Sequence, residues 1–393
     1  MNSQEIMELD REHAANTYAR FPIALDHGCG ALLYDADGKE YIDLGCGIGV
    51  SAFGSCDPEW VAAVSAQAAK LQHASNLYYT EPSARLAAML CERTGMSRVF
   101  FSNSGAEANE CAIKAARKYA EVHHGRDTFT IITLKNSFHG RTITTLSATG
   151  QDVFHKDFRP MTPGFVYADA DDIESVKFLA DSVKCAAVMI EVVQGEGGVC
   201  ALEAEFVQAV EKLCRERDMV FIVDEVQSGN GRTGELYAYM NYDVHPDVVT
   251  TAKGIAGGLP MGATILGERV ADLFTPGSNG STFGGNPVAA AGALSILSRI
   301  DDDLLVGVRE RGDLIRAKLA GVPGIVRVTG MGLMVGVEVE CNAASLLARL
   351  QAKGVLALTA KTKLRLLPPL NIDMALLSTA IDRIIEAISE EMA

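Results

Sequence analysis

The chain has 393 residues, enough for two domains and a large core that needs neither metal nor disulfides to fold. Its 50 acidic and 35 basic side chains give a formal charge of -15, which repels nucleic acid and anionic membranes and leaves small organic molecules as the expected ligands. Nine cysteines, an odd number with no C-x-x-C pair, argue against a zinc knuckle and a full disulfide framework and are expected as small buried hydrophobes in a reducing compartment.

The opening MNSQEIMELDREH is acidic and lacks an apolar run, so no signal or transit peptide is expected and the cytoplasm is the expected location. ALLYDADGKEYIDL (31–44) reads as strand, Asp-Gly turn, strand. SRVFF (97–101) then runs into SNSGAEANECAIKAARKYAEV, whose apolar positions recur at helical spacing after a Gly turn. TFTIITL (128–134), CAAVMIEVV (185–193), MVFIV (219–223) and DVVTTA (247–252) are short apolar runs suited to strands buried on both faces. Helical stretches such as EFVQAVEKLCRERD (205–218) lie between them, so the expected fold is α/β, with a mostly parallel central sheet covered by helices. The stretch 271–298, nearly free of charge, is broken by Pro276 and Pro287 and cannot span a membrane.

After Asn286 the texture changes. A helical pattern leads to VTGMGLMVGVEVE, a hairpin of strands, then to AASLLARLQAKG, a strand with LRLLPPL, and a closing amphipathic helix. The expected division is a large domain over 56–290, a smaller α/β domain over 291–393, and an opening segment, 1–55, that packs with the smaller one. No internal repeat or low-complexity segment is evident.

The chemistry concentrates in VFIVDEVQSGNGRTG (220–234). Gly229, Gly231 and Gly234 fit G-x-G-x-x-G, but DEVQS separates the strand from the first glycine and no room for a crossover helix remains between Gly234 and Pro246. A dinucleotide loop is therefore not expected. Asp224 ends a buried strand, where open α/β sheets place ligands, although a strand-end Asp can also be merely solvated. Lys253, in TTAKGIAGGLPMGA, comes just after another strand, and Ser104, Gly105 and Ala106 open a helix whose free amides favour an anion. An isolated lysine or helix cap is ordinary. An amine for imine chemistry, a carboxylate for a pyridinium nitrogen and a phosphate cup on three strand ends together point to pyridoxal phosphate.

On SNLYYTEP, NSGAEANE, NSFHGRT, QGEGGV, DEVQSGNGRTG, TAKGIAGGLPMGA, STFGGNP and LRLLPPL, the chain resembles the class III, ornithine-type aminotransferases of the fold type I pyridoxal-phosphate family over essentially its whole length. The resemblance is strongest to the acetylornithine aminotransferases. It implies that Lys253 holds the cofactor covalently, Asp224 pairs with the ring nitrogen, Gln227 meets the ring hydroxyl, and Val226 and Phe138 cover the two ring faces. Ser104, Gly105 and Ala106 would bind the phosphate with Thr282 of the neighbouring subunit, so a homodimer is implied. Arg141 would clamp the substrate carboxylate, Ser281 would contact substrate, and Glu196 and Arg365 would form a switch between the amino donor and 2-oxoglutarate. Ile48 stands where ornithine-using members carry a tyrosine, which implies an acylated donor, N2-acetylornithine first; succinylornithine, N-succinyldiaminopimelate and ornithine are the alternatives. A mutase or decarboxylase using the same cofactor, or a silent binding relative of the fold, are the rivals; a silent relative should have lost Lys253 or Asp224. Val192 replaces a common proline and FGSCDP lacks the histidines common in that turn; local backbone differences alone are expected there, and the role of Glu191 stays open.

Overall fold

The computed structural model of the chain describes residues 1–392. Seven strands form the central sheet in the order Arg98–Ser102, Gly262–Leu266, Val248–Thr251, Val220–Asp224, Cys185–Ile190, Thr130–Leu134, Phe165–Ala168. All pairs are parallel except those made by Gly262–Leu266, which runs antiparallel to both its neighbours. The two-residue alternation of a strand explains why these runs are apolar throughout. Val220 and Ile222 pack under the helix Gly105–His124, while Phe221 and Val223 join the core that holds Phe206, Val207 and Val210 of the helix Ala204–Glu216. The first helix meets the sheet through Ala108, Cys111, Ala112, Ala115 and Ala116, side chains small enough to let its backbone come close.

The C-terminal part builds an antiparallel sheet in the order Ile325–Met331, Met334–Val339, Lys363–Leu366, Leu358–Ala360. Helices Asp302–Leu319, Ala343–Ala352 and Met374–Met392 pack with it through Ile315, Leu346, Leu350, Ile381 and Ile384. The opening segment forms Leu25–Cys29, Leu32–Asp35 and Glu40–Asp43, and the last of these pairs in parallel with Val355–Leu356. Helix Pro287–Leu297 packs against Trp60 and Val64 of the helix Pro58–Lys70, so it reaches across residue 290 towards the first part of the chain. Among the described residues no helix is long and apolar enough to cross a membrane.

Several details depart from the sequence reading. The run 185–193 breaks after Ile190, and Val193–Gln194 pairs separately with Cys200–Ala201. Phe165–Ala168 and Gly262–Leu266 are strands that the apolar runs do not announce, being short and, in the second case, opened by glycine. Cys46, Cys111 and Cys214 are buried, but Cys29 and Cys56 are exposed, against the expectation of buried thiols.

Candidate active site

Three consecutive strand ends converge on one cavity of about 430 Å³. Asp224 closes the strand Val220–Asp224, Lys253 comes after Val248–Thr251, and Glu191 after Cys185–Ile190; all three line it. Ser104, Gly105 and Ala106 line it from the N-terminus of the helix Gly105–His124, and Phe138, Arg141, Val226 and Gln227 complete the set of predicted residues found there. Four predicted residues lie elsewhere. Glu196 and Arg365 stand beside Gln227, while Ser281 and Thr282 sit in a separate loop.

The floor is a fixed polar network. Asp224, 3 % exposed, accepts at Oδ2 from Asn109 Nδ2 at 2.7 Å and from His139 Nδ1 at 2.8 Å, and at Oδ1 from the Val226 amide at 3.0 Å. Three donors on one carboxylate offset the cost of burying it. Asn109 is itself fixed, since it also donates to the His139 carbonyl at 2.7 Å and accepts from Thr250 Oγ1 at 2.6 Å. Burial disfavours charge on His139, but the hydrogen bond and charge of Asp224, with Glu191 behind it, outweigh this and raise its pKa above the ordinary value. The sequence reading quoted Asn109 and His139 inside motifs and gave them no role. Asn109 lies one helical turn after Gly105, a spacing that could have placed it over the strand end.

Lys253 keeps some surface open onto the cavity it lines, and burial pushes its pKa below the ordinary lysine value against the pull of Asp224, Glu196 and Glu191, with Arg365 acting in the same direction as burial. Its backbone is in the left-handed region, φ 47°, a conformation costing a non-glycine residue about 1–2 kcal/mol. Asn230 helps impose it: the Nδ2 group donates to Thr251 Oγ1 at 3.0 Å and to the Ala252 carbonyl at 3.1 Å. The glycine-rich turn thus serves the lysine rather than a pyrophosphate. A Cβ on Gly229 would lie 2.7 Å from the Glu225 carbonyl oxygen, and Gly234 leads only into the 3₁₀ turn Ala238–Tyr242, not into a crossover helix.

The cup is shaped with equal economy. Ser104 is the helix N-cap, accepting from the Glu107 amide at 3.2 Å, which leaves the Gly105 and Ala106 amides to face the cavity. A Cβ on Gly105 would meet Val226 Cγ1 at 2.6 Å, so only glycine allows Val226 to lie so near the cup. Above the floor, the Arg141 guanidinium lies 4.3 Å from the Phe154 ring centre and 5.5 Å from that of Phe138, and makes no ion pair among the described residues. The rim carries the opposite arrangement. Arg365, 4 % exposed, donates through Nη1 to Glu196 Oε1 at 2.5 Å and to Gln227 Oε1 at 3.2 Å, while its Nε has no partner. Ser281 accepts from Asn103 Nδ2 at 3.1 Å, and Thr282 beside it is exposed.

The cavity therefore offers an anion cup, a buried carboxylate suited to a cationic partner, an amine of lowered basicity and a free guanidinium. Comparison with known proteins agrees with this inventory. The family described as Aminotransferase class-III matches residues 13–388. The acetylornithine aminotransferase of Haemophilus ducreyi is 48 % identical, with 99 % of this chain and 100 % of that protein covered, and that of Methanocaldococcus jannaschii is 43 % identical, covering 99 % and 98 %. Among solved structures, the ornithine aminotransferase of Toxoplasma gondii superposes with a TM-score of 0.95 at 32 % identity, covering 100 % of this chain and 97 % of that one. The N-acetylornithine aminotransferase of Stenotrophomonas maltophilia gives 0.85 at 34 % identity, covering 98 % and 99 %. The chain belongs to the class III aminotransferases, a pyridoxal-phosphate-dependent family of fold type I.

Proposed function

We propose that the protein transfers the terminal amino group of N2-acetyl-L-ornithine to 2-oxoglutarate, giving N-acetylglutamate 5-semialdehyde and glutamate, a step of arginine biosynthesis. The observation that carries the reading is the placement of Lys253, Asp224 and the Ser104–Ala106 helix start around one cavity. The residues fit pyridoxal phosphate: a buried carboxylate that accepts three hydrogen bonds suits a protonated ring nitrogen, and the free amides of a helix start suit a phosphate. When bound, that cofactor supplies an electron-accepting ring beside the transferred nitrogen.

The chain's own residues do the rest. Ser104, Gly105 and Ala106 would hold the phosphate, Val226 and Phe138 would enclose the ring, and Gln227 would meet its hydroxyl. Lys253 would be the covalent attachment point and, once released by the incoming amine, the base that moves a proton from the substrate carbon to the cofactor carbon; a lowered pKa leaves more of the amine neutral for this. Arg141, free of carboxylate partners, clamps the substrate carboxylate in a bidentate pair. Glu196 covers Arg365 while a donor with only hydrogens beside the reacting carbon is bound, and yields it to the acceptor's carboxylate in the second half-reaction. Ser281 borders the substrate.

Thr282 completes the phosphate site of a second copy. In support, the Thr282 loop is tied by Asn76, which donates to the Ser281 and Gly284 carbonyls at 2.8 and 3.1 Å, to a segment that exposes Leu77, Tyr78 and Tyr79 beside an exposed Phe283. Such a patch suits burial against another chain, and sedimentation at twice the chain mass is expected. The same reading assigns 56–290 to the large domain and 291–393, with 1–55, to the small one.

For the donor, Ile48 matters. It adopts φ 67°, an outlying conformation for a β-branched residue, is 43 % exposed, and opens on a cavity of about 630 Å³ walled also by Tyr18, Arg20, Phe21 and Leu358. An aliphatic wall tolerates a neutral acyl amide but cannot pair a free ammonium. Side-by-side kcat/KM values for N2-acetylornithine, N2-succinylornithine, N-succinyldiaminopimelate, ornithine and 4-aminobutyrate test this. Acetylornithine is expected to lead; a lead for ornithine would refute the Ile48 argument, and a lead for the succinyl donors would refute the acetyl assignment.

A further inference from the structure

Glu191 is the one carboxyl of the cavity to which the proposed transamination gives no role. Ile190 pairs in parallel with Val223, so Glu191 stands next to Asp224 at the following register position on the neighbouring strand. It is 5 % exposed, accepts the Phe138 amide at Oε2 at 2.9 Å, and has no other hydrogen-bond partner among the described residues, although it lines the cavity. Two buried carboxyls side by side do not both ionise when one has three donors and the other has one. Glu191, with the fewer donors, is the one placed to keep its proton. Burial pushes Glu191 up to about 7, and Asp224 adds to this; His139 from the loop after Thr130–Leu134, the Phe138 amide and Lys253 from the end of Val248–Thr251 pull the other way. A protonated carboxyl has one hydrogen to donate, and no protein acceptor takes it.

The order of the sheet says what lies opposite. The anion cup comes after Arg98–Ser102, to one side of Asp224 in the sheet, and Glu191 after the strand on the other side. On a pyridoxal ring, the edge across from the phosphate-bearing arm carries the methyl group and the ring oxygen. With the nitrogen at Asp224 and the phosphate in the cup, that edge would face Glu191. Gln227 is drawn towards the rim, where its Oε1 accepts from Arg365 at 3.2 Å and its Nε2 lies 3.5 Å from Glu196 Oε1. Resting on the proposed cofactor reading, we infer that Glu191 is a further cofactor-contacting residue, whose carboxyl donates a hydrogen bond from the cavity wall to the oxygen of the pyridoxal ring.

The test uses apoprotein titrated with pyridoxal phosphate and with 3-deoxypyridoxal phosphate, which lacks the ring oxygen. Wild type should prefer pyridoxal phosphate by up to about a hundredfold, the value of two hydrogen bonds, one from Glu191 and one from Gln227. In Glu191→Ala the preference should fall by about tenfold, to the share of Gln227, and Glu191→Gln, which keeps the shape, an acceptor for Phe138 and an N–H donor, should restore part of it. The wild-type preference should also shrink between about pH 6 and pH 8 as Glu191 loses its proton, while that of Glu191→Gln stays flat. A merely structural glutamate would weaken both ligands alike, so an unchanged preference in Glu191→Ala overturns the contact. Failure of wild type to bind either compound would overturn the cofactor reading together with it.

Discussion

The floor of the cavity and its rim treat charge in opposite ways. On the floor, a carboxylate at a strand end receives three donors, one of them from Asn109, which is itself pinned by Thr250 and the His139 carbonyl. At the rim, a nearly buried guanidinium depends on Glu196, a partner 27 % exposed in its side chain and borne on a loop, and leaves its buried Nε without a partner. The first arrangement is preorganised for a resident group. The second is the arrangement that the proposed exchange of one anion for another would use, as two successive substrates require.

Lys253 separates the two regions, and its replacement should have the largest effect. Lys253→Ala should abolish turnover, and borohydride reduction of the wild-type holoprotein should fix cofactor to the peptide containing Lys253 alone; a label on any other lysine would remove the attachment role. Since the strained backbone at Lys253 is held by Asn230 and not by the amine, the variant should fold and keep cofactor affinity through the cup.

Next comes the floor. Asp224→Ala strands the Asn109 and His139 donors, so kcat should fall by about hundredfold or more and stability by about 3 kcal/mol, read by turnover and denaturant unfolding. The pH response should change as well. His139 has a raised pKa, so the folded chain keeps a proton that the unfolded chain releases; this stability is full below the unfolded histidine value and is lost as pH rises through the folded one. Glu191 acts with the same sign in the window from its ordinary value up to about 7. The Tm of the wild-type apoprotein should therefore drop on going from about pH 6 to pH 8, by on the order of a few degrees, and the drop should be smaller in Asp224→Ala. An equal drop in both would deny His139 its dependence on Asp224.

How far the sequence foretold these regions depends on what each is made of. The apolar runs 219–223 and 247–252 forecast strands Val220–Asp224 and Val248–Thr251 to within a residue or two, since strands buried on both faces have no polar positions to blur them. Gly262–Leu266, antiparallel and glycine-led, carries no such signature. Asp224 and Lys253 were legible because a charge at the end of an apolar run needs a reason. His139 and Asn109 were not, because their role is to support Asp224 across 85 and 115 residues of chain, a relation with no local pattern. The left-handed turns at Ile48 and Lys253 were equally hidden, as tertiary contacts impose them against local preference.

Arg141 lies between floor and rim in expected effect. Its guanidinium lies near two aromatic rings and not beside an anion, so Arg141→Lys keeps the charge but loses the flat guanidinium surface beside them and the two-pronged pairing. A fall of about tenfold in kcat/KM is expected, chiefly through KM, with stability changed by less than about 1 kcal/mol. Unchanged kinetics would move the carboxylate clamp elsewhere.

The finest test concerns the exchangeable anion itself. Removing Glu196 leaves Arg365 nearly buried with Gln227 Oε1 as its remaining acceptor, so the Glu196→Ala apoprotein should be less stable than wild type. On the proposed exchange, a dicarboxylic acceptor would replace the lost anion in the variant, whereas in wild type it would first have to displace Glu196. Ligands stabilise a fold in proportion to their affinity for it, so 2-oxoglutarate should raise the Tm of cofactor-loaded Glu196→Ala by a few degrees more than that of wild type at equal concentration. 4-Aminobutyrate, which has one carboxylate for Arg141 and no second one for Arg365, should show no such difference. If the rim pair were a permanent salt bridge, 2-oxoglutarate would shift both proteins equally, and the contrast between a fixed floor and an exchangeable rim would fail there.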